Sequence, residues 1–238
     1  MTLTTVSPGV LTVMSAFPDP PFEVAPDTGF DAALMQRICP TLGLQWRLVH
    51  YTGSDFNEIF GGLGVSVDAV ISGTTITPAR QQMAAFCAPY LEFNQGIAVN
   101  TLRHPNVHAV NDLHGFTVGI QTGNTSDIVA QDLKAQGIIA GIRYYDYSAI
   151  GCALDDLESG TIDAVIKLHP VLTELIKGRP GLAVACEVAT HERIAIAVAR
   201  ENAQLRSAID DAQATALADP WFAATYAIWF GQAHQGST

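Results

Sequence analysis

The sequence predicts an α/β protein built as two similar lobes, and three observations lead there. Short β-branched runs alternate with helical periods along the chain, the pattern of substantially parallel sheets covered by helices. The run Val67-Asp68-Ala69-Val70-Ile71 returns almost letter for letter as Ile162-Asp163-Ala164-Val165-Ile166, at the same place in a repeated β-α-β-α-β order. Two extended segments, Gly96 to Asn100 and Arg193 to Ala199, read as strands that leave the first half and return to it. Such a pair can absorb rotation as a hinge without unfolding either lobe, and a cleft is expected between the lobes.

The elements follow in order. Val10 to Met14 is the first strand, and Ala32 to Leu42 a helix with Leu34, Ile38 and Leu42 on one face; Pro40 is placed to kink or end it. Leu44 to Val49 is a strand, and Ser54 opens a helix carrying Phe56, Ile59, Phe60 and Leu63 that runs through glycines into Val67 to Ile71. In the second half, Phe116 to Ile120 is a strand, Ser126 to Gln136 a helix and Ile142 to Tyr145 a strand. Ser148 is placed to cap a helix with Ile150, Ala153, Leu154 and Leu157, which Gly160 ends. An alanine-rich helix, Gln204 to Leu217, precedes Asp219-Pro220-Trp221, a cap with proline at the first helical position.

Composition narrows the function. The 238 residues are 48% hydrophobic and 15% charged, enough for a large core. Lys+Arg 12 against Asp+Glu 23 gives a formal net charge of -11, which repels phosphate backbones and anionic lipid, so no nucleic-acid partner is expected. No apolar run has the length of a membrane helix. Met1 to Pro8 lacks the basic and apolar regions of a secretory signal, so the chain reads either as cytoplasmic or as starting at a mature boundary. Cys39, Cys87, Cys152 and Cys186 are widely spaced with no CxxC and read as buried small hydrophobes. His104, His108 and His114 have no carboxylate or cysteine to complete a metal set and Pro105 interrupts them, so no metal and no cofactor is expected.

Several motifs, taken together, resemble a known family. Pro20-Pro21-Phe22-Glu23, Gly29-Phe30-Asp31, Ser72-Gly73-Thr74-Thr75-Ile76-Thr77-Pro78-Ala79-Arg80, Pro89-Tyr90 and Gln95-Gly96 occur in the order found in the extracytoplasmic solute-binding proteins of polar amino-acid ABC transporters, family 3. Val118 to Thr125, Asp163 to Ile166 and Trp229-Phe230-Gly231 continue that order, so the resemblance spans about Val10 to Gly231. It implies a type II periplasmic-binding-protein-like clamshell with two hinge strands. Residues 1-98 with 196-238 would form one lobe and residues 99-195 the other. Such a protein closes on a small ligand by population shift, does no chemistry on it, and presents it to an ABC permease. A periplasmic or extracellular monomer is implied.

The resemblance also proposes a site. Arg80 stands where the family holds a ligand carboxylate with a guanidinium, against the plain reading of a surface arginine. Thr75 would add its hydroxyl and amide, and Gly73, beside Ser72, its carbonyl. Gly123, Asn124 and Thr125 precede a helix whose amides suit an anion, with Thr125 as donor; the plain alternative is that Asn124 or Thr125 caps the helix. Phe56 is either an aromatic wall for the ligand or a core residue beside Ile59, Phe60 and Leu63. Asp19 either contacts the cleft or opens the turn before Pro20. Leu168 stands where relatives that bind α-amino acids carry an aspartate for the ammonium, and leucine accepts no hydrogen bond. Either the ligand lacks an α-ammonium, or Asp19, Glu23 or a backbone carbonyl meets it. Lys167 and His169 either add an anion contact or mark an exposed strand end.

Two other functions are kept in view. A dehydratase-like enzyme on this fold needs an acid in the cleft, and the nearest candidate after Leu168 is Glu174, expected on an outer helix. A sensor that presents its ligand to a receptor would use the same fold.

Overall fold

The computed structural model describes residues 3–25 and 27–231. The elements in chain order are β1 (Val10–Ala16), α1 (Phe30–Ile38), β2 (Gln45–Tyr51), β3 (Ala69–Val70), α2 (Pro78–Met83), β4 (Ala85–Phe86), β5 (Leu91–Asn100), β6 (Thr117–Gln121) and α3 (Ser126–Ala135). They continue with β7 (Gly141–Tyr145), α4 (Ile150–Ser159), β8 (Ala164–Leu168), α5 (His169–Leu175), β9 (Leu182–Ile194), β10 (Ala197–Val198), α6 (Ala203–Ala218) and α7 (Pro220–Phe230).

The chain divides into two compact units, the first of residues 1–51, 59–92 and 193–238 and the second of residues 52–58 and 93–192. Strands β5 and β9 each carry the chain from one unit to the other. In the first unit a sheet runs β2-β1-β3-β10-β4, with β2 and β3 parallel to β1 and β10 antiparallel to its neighbours. In the second the order is β7-β6-β8-β5-β9, with β7 and β8 parallel to β6 and β5 antiparallel to β8.

The sequence repeat has a structural counterpart. Asp68 accepts the Thr12 amide at 2.8 Å and returns its own amide to the Thr12 carbonyl at 2.8 Å. Asp163 does the same with Thr117, at 2.8 and 2.9 Å. The residues that follow pair in the same register, Val13 with Ala69 and Met14 with Val70 in one unit, Val118 with Ala164 and Gly119 with Val165 in the other.

Period-two alternation sends side chains to both faces of the second sheet. Ile97, Val99, Val118, Ile120 and Ile166 join Val129 and Leu133 of α3 in one core layer. Ala98 and Val165 join Leu154 and Leu157 of α4 and Leu172 of α5 in another. In the first unit Phe30 at the start of α1 meets Tyr90, Phe222 and Phe230 at ring-centroid distances of 6.0, 5.9 and 5.1 Å.

Local chemistry accounts for the element ends. α1 stops at Ile38, and Pro40 lies in the 3-10 turn Cys39–Leu42 that follows. Gly160 ends α4 in the left-handed conformation, φ 78°. Asp219 caps α7, accepting the Trp221 amide at 2.8 Å. Two expectations are corrected. Residues 56–62 form a 3-10 helix, since Gly61, Gly62 and Gly64 deny an α-helix its second turn. Ser148 lies inside a 3-10 turn, Tyr147–Ala149, and α4 begins without a side-chain cap. The four cysteines are free thiols; Cys39 and Cys87 are buried, but Cys152 is exposed on α4 and Cys186 half-buried, which corrects the reading of all four as core residues. No described helix is long and apolar enough to cross a membrane.

Candidate functional site

In the first unit, the loop after β3 and the short helix α2 hold Arg80. Thr77 caps α2 by accepting the Arg80 amide at 3.1 Å, and Pro78 starts the helix. Arg80 is only 4% exposed, which corrects the plain surface reading. Its Nη1 donates to the Thr75 carbonyl at 3.0 Å, and its guanidinium stands 5.9 Å from the Phe60 ring centroid. Thr75 is buried, bridging to Ile194, while the Ser72 hydroxyl accepts the Ala16 amide at 3.0 Å. Gly73 has φ +52° and lies so close to Phe22 that an added Cβ would come within 2.8 Å of the ring.

Beneath this loop lies a buried carboxylate pair. Asp31 accepts the Gly73 amide at 2.8 Å and the Tyr90 hydroxyl at 2.7 Å, so the GFD motif and the Pro89-Tyr90 pair fix the glycine that precedes Thr75. Burial still raises the Asp31 carboxyl to about 7, against the lowering effect of these two donors. Glu23 has no exposed surface and is raised to about 9, first by burial and then by the Asp31 charge. Asp19 is buried and opens the expected turn, its carbonyl accepting the amides of Phe22 at 3.1 Å and Glu23 at 3.0 Å.

In the second unit, the candidates gather at the carboxyl ends of β6 and β8, where α/β sheets place ligands. Gly123 has φ +81°, and a Cβ there would come within 2.0 Å of the Asp55 carboxylate. That close approach seats residues 52–58: the Phe56 amide donates to the Thr122 carbonyl at 3.2 Å, and the Tyr147 amide to the Ser54 carbonyl at 2.7 Å. Phe56 is buried and packs on Tyr147 with centroids 5.0 Å apart.

Thr125 precedes α3 but does not cap it with its side chain. Its hydroxyl donates to Glu192 Oε2 at 2.7 Å and accepts from Gln95 Nε2 at 3.1 Å. Asn124 donates to Gln121 Oε1 at 3.1 Å. The same oxygen accepts from Lys167 Nζ at 2.7 Å, and Lys167 lies 5.5 Å from the Tyr147 ring centroid. Gln121 in turn donates to the Tyr147 carbonyl. Lys167 is 3% exposed, which corrects the exposed-strand-end reading. His169 starts α5 and pairs with Glu187 at 3.3 Å. Leu168 is buried at the end of β8, its Cα opposite Gln95 of β5.

Sequence reasoning missed Glu192, Gln95 as a side chain, Gln121 and Tyr147. Gln95 was legible as part of a motif, but Glu192 carries no local signal, because its run Thr190 to Arg193 looks like a polar lead-in to a strand.

Two α/β units with a buried arginine beside a threonine-rich loop define a solute-binding protein, and the chain belongs to the bacterial extracellular solute-binding proteins, family 3, whose model matches residues 11–232. It is similar to ABC transporter arginine-binding protein 1 of Escherichia coli, 29% identical over 86% of this chain and 82% of that protein. It is also similar to the L-cystine-binding protein TcyJ of Escherichia coli, 27% identical over 89% of this chain and 79% of that one. Among solved structures, an ancestral arginine-binding protein bound to arginine superposes with a TM-score of 0.82 at 29% identity, covering 94% of this chain and 99% of that one. The ancestral amino acid-binding protein AncCDT-1, a precursor of cyclohexadienyl dehydratase, gives 0.81 at 27% identity, covering 93% and 96%.

Proposed function

We propose that the chain binds a solute of the amino-acid class and hands it to the permease of an ABC transporter, acting outside the cytoplasmic membrane as a monomer and leaving the solute chemically unchanged. The observation that carries this is Arg80, a buried guanidinium anchored on the Thr75 carbonyl, whose planar fork matches the shape of a carboxylate. In this reading Arg80 of the first unit holds the ligand carboxylate, with Thr75, Gly73 and Ser72 shaping its loop. The other candidate residues are Asp19 in the first unit and, taken by themselves, Phe56, Gly123, Asn124, Thr125 and Leu168 in the second. The arginine- and cystine-binding relatives support a ligand with an α-amino acid headgroup.

The test is a thermal-shift screen against the common amino acids and their deaminated oxo and hydroxy analogues. A ligand at about a hundred times its dissociation constant stabilises by about 2.7 kcal/mol, which moves the midpoint by several degrees. Arg80→Ala is expected to abolish the shift while keeping the circular dichroism of the wild type. Normal binding by that variant would remove Arg80 from the site. Turnover of a prephenate-like acid, followed by absorbance, would instead make the protein an enzyme; Glu174, the candidate acid, lies on α5 and pairs with Lys177.

A further inference from the structure

The loop that leads to Arg80 is held by a closed circuit of bonds. Gly73 donates its amide to Asp31 Oδ2 at 2.8 Å, two residues before Thr75. Thr75 pairs with Ile194 in an antiparallel bridge, flanked by the Ala195 amide on the Thr74 carbonyl at 3.0 Å and the Ile76 amide on the Arg193 carbonyl at 2.9 Å. The Ile194 carbonyl accepts the Tyr90 amide at 2.9 Å, and the Tyr90 hydroxyl returns to Asp31 Oδ1 at 2.7 Å. Asp31, Gly73, Thr75, Ile194 and Tyr90 thus form a ring, and all five belong to the first unit.

The ring has little freedom. Asp31 has no exposed surface, its two oxygens face different donors, and the Tyr90 ring stacks on Phe30, the residue before Asp31, with centroids 6.0 Å apart. Gly73 has no side chain to pack, so its backbone bonds set its position in the left-handed conformation, φ +52°. What the ring fixes reaches Arg80, because Nη1 donates to the Thr75 carbonyl at 3.0 Å and a shift of residues 73–75 carries the guanidinium with it. A planar fork recognises a carboxylate by two parallel bonds, and both weaken with small errors of distance and angle. A carboxamide offers the fork one oxygen and opposes it with an NH2 group, so a well-aimed fork prefers the acid and a misplaced one prefers it less.

We propose that Asp31, oriented by Tyr90, is a positioning residue for carboxylate recognition: it holds Gly73, aims Arg80 through Thr75, and so sets how strongly the protein prefers an acid to the corresponding amide. The proposal rests on the reading of Arg80 given above and uses residues of the first unit alone.

Isothermal titration of the wild type, Tyr90→Phe, Asp31→Ala, Asp31→Asn and Arg80→Ala tests this, with the twenty amino acids and cystine as probes and the α-carboxamide of the tightest binder as competitor. It is run at pH 8, above the value of about 7 to which burial raises Asp31, so that both oxygens are acceptors. Asp31→Ala is expected to lower the acid-over-amide preference about tenfold, and Tyr90→Phe about threefold, the scale of one charge-assisted and one weakened hydrogen bond. Asp31→Asn keeps an oxygen for the Gly73 amide, while the Tyr90 hydroxyl can turn to accept from the new NH2 group, so it is expected to recover most of the preference. Tyr90→Phe removes one oxygen and keeps the ring on Phe30, so it decides the matter if Asp31→Ala does not fold. Equal losses for acid and amide would make the ring a support of the fold alone and overturn the proposal. If Arg80→Ala loses the acid while Tyr90→Phe and Asp31→Ala keep the wild-type preference, the reading of Arg80 stands and this proposal is overturned. If Arg80→Ala binds the acid as the wild type does, or the wild type binds no amino acid, that reading falls and this proposal with it.

Discussion

Glu23 and Asp31 make the first unit sensitive to pH in a direction opposite to that of most carboxylates. Their folded values, about 9 and about 7, stand above the ordinary 4.5 and 3.8. Between the ordinary and the folded value, the folded chain holds a proton that the unfolded chain has released, so each step upward in pH favours unfolding. The stability these groups allow is whole below their ordinary values, declines from there, and has declined fully for Asp31 near 7 and for Glu23 near 9. Thermal midpoints measured between pH 5 and 9 are expected to fall with rising pH, and Glu23→Gln to flatten that fall. A variant with the wild-type slope would show that Glu23 releases its proton with ordinary ease. These two residues were readable as motif letters, but their partnership was not, because Pro20 to Glu23 and Gly29 to Asp31 meet through backbone contacts that the letters do not announce: the Pro21 carbonyl accepts the Phe30 amide at 2.9 Å and the Phe22 carbonyl the Asp31 amide at 3.2 Å. The burial of Lys167 was not decided by the sequence for a related reason. A lysine at a strand end is ordinarily solvated, and the Gln121 oxygen and the Tyr147 ring, both distant in sequence, help make its burial tolerable.

The paired strand motifs were the most legible part of the chain, since hydrophobic alternation and a repeated Asp are local signals. What they do is shared too: each Asp pins the start of a parallel pair by bonding the backbone of the neighbouring strand. Asp68 also accepts the Val6 amide and is nearly fully buried, whereas Asp163 is half-buried. Hydrogen bonds to charged groups contribute about 1.5–3 kcal/mol each. Asp68→Ala is therefore expected to cost about 3 kcal/mol or more in denaturant unfolding, and Asp163→Ala about half as much; the reverse order would mean that burial does not set the worth of the motif. Residues 56–62 were the least legible element, because apolar spacing alone cannot separate an α-helix from a 3-10 helix, and the glycines decide. Gly123→Ala should lose ligand binding and stability together, since a Cβ would push residues 52–58 off Thr122 and Tyr147; a variant with wild-type binding would separate that contact from the site.

Neither unit is a single stretch of chain, because the chain passes between them at residues 51/52, 58/59, 92/93 and 192/193. A fragment of residues 93–192 would lose Ser54 and Phe56, and with them the 2.7 Å acceptor of the Tyr147 amide and the Phe56 ring packed on Tyr147. Such a fragment is expected to unfold without a cooperative transition, while the same fragment with residues 52–58 joined by a linker recovers one. The two extended segments at Gly96 to Asn100 and Arg193 to Ala199 were the sequence signal for interleaving; the short excursion at 52–58 had none, since no composition change marks it. The exposure of Cys152 has a practical consequence. Burial pushes the thiols of Cys39, Cys87 and Cys186 up, whereas Cys152 stands open on the outer face of α4. A maleimide dye at neutral pH will therefore attach first at Cys152, which gives the wild-type chain a ready-made labelling position on α4.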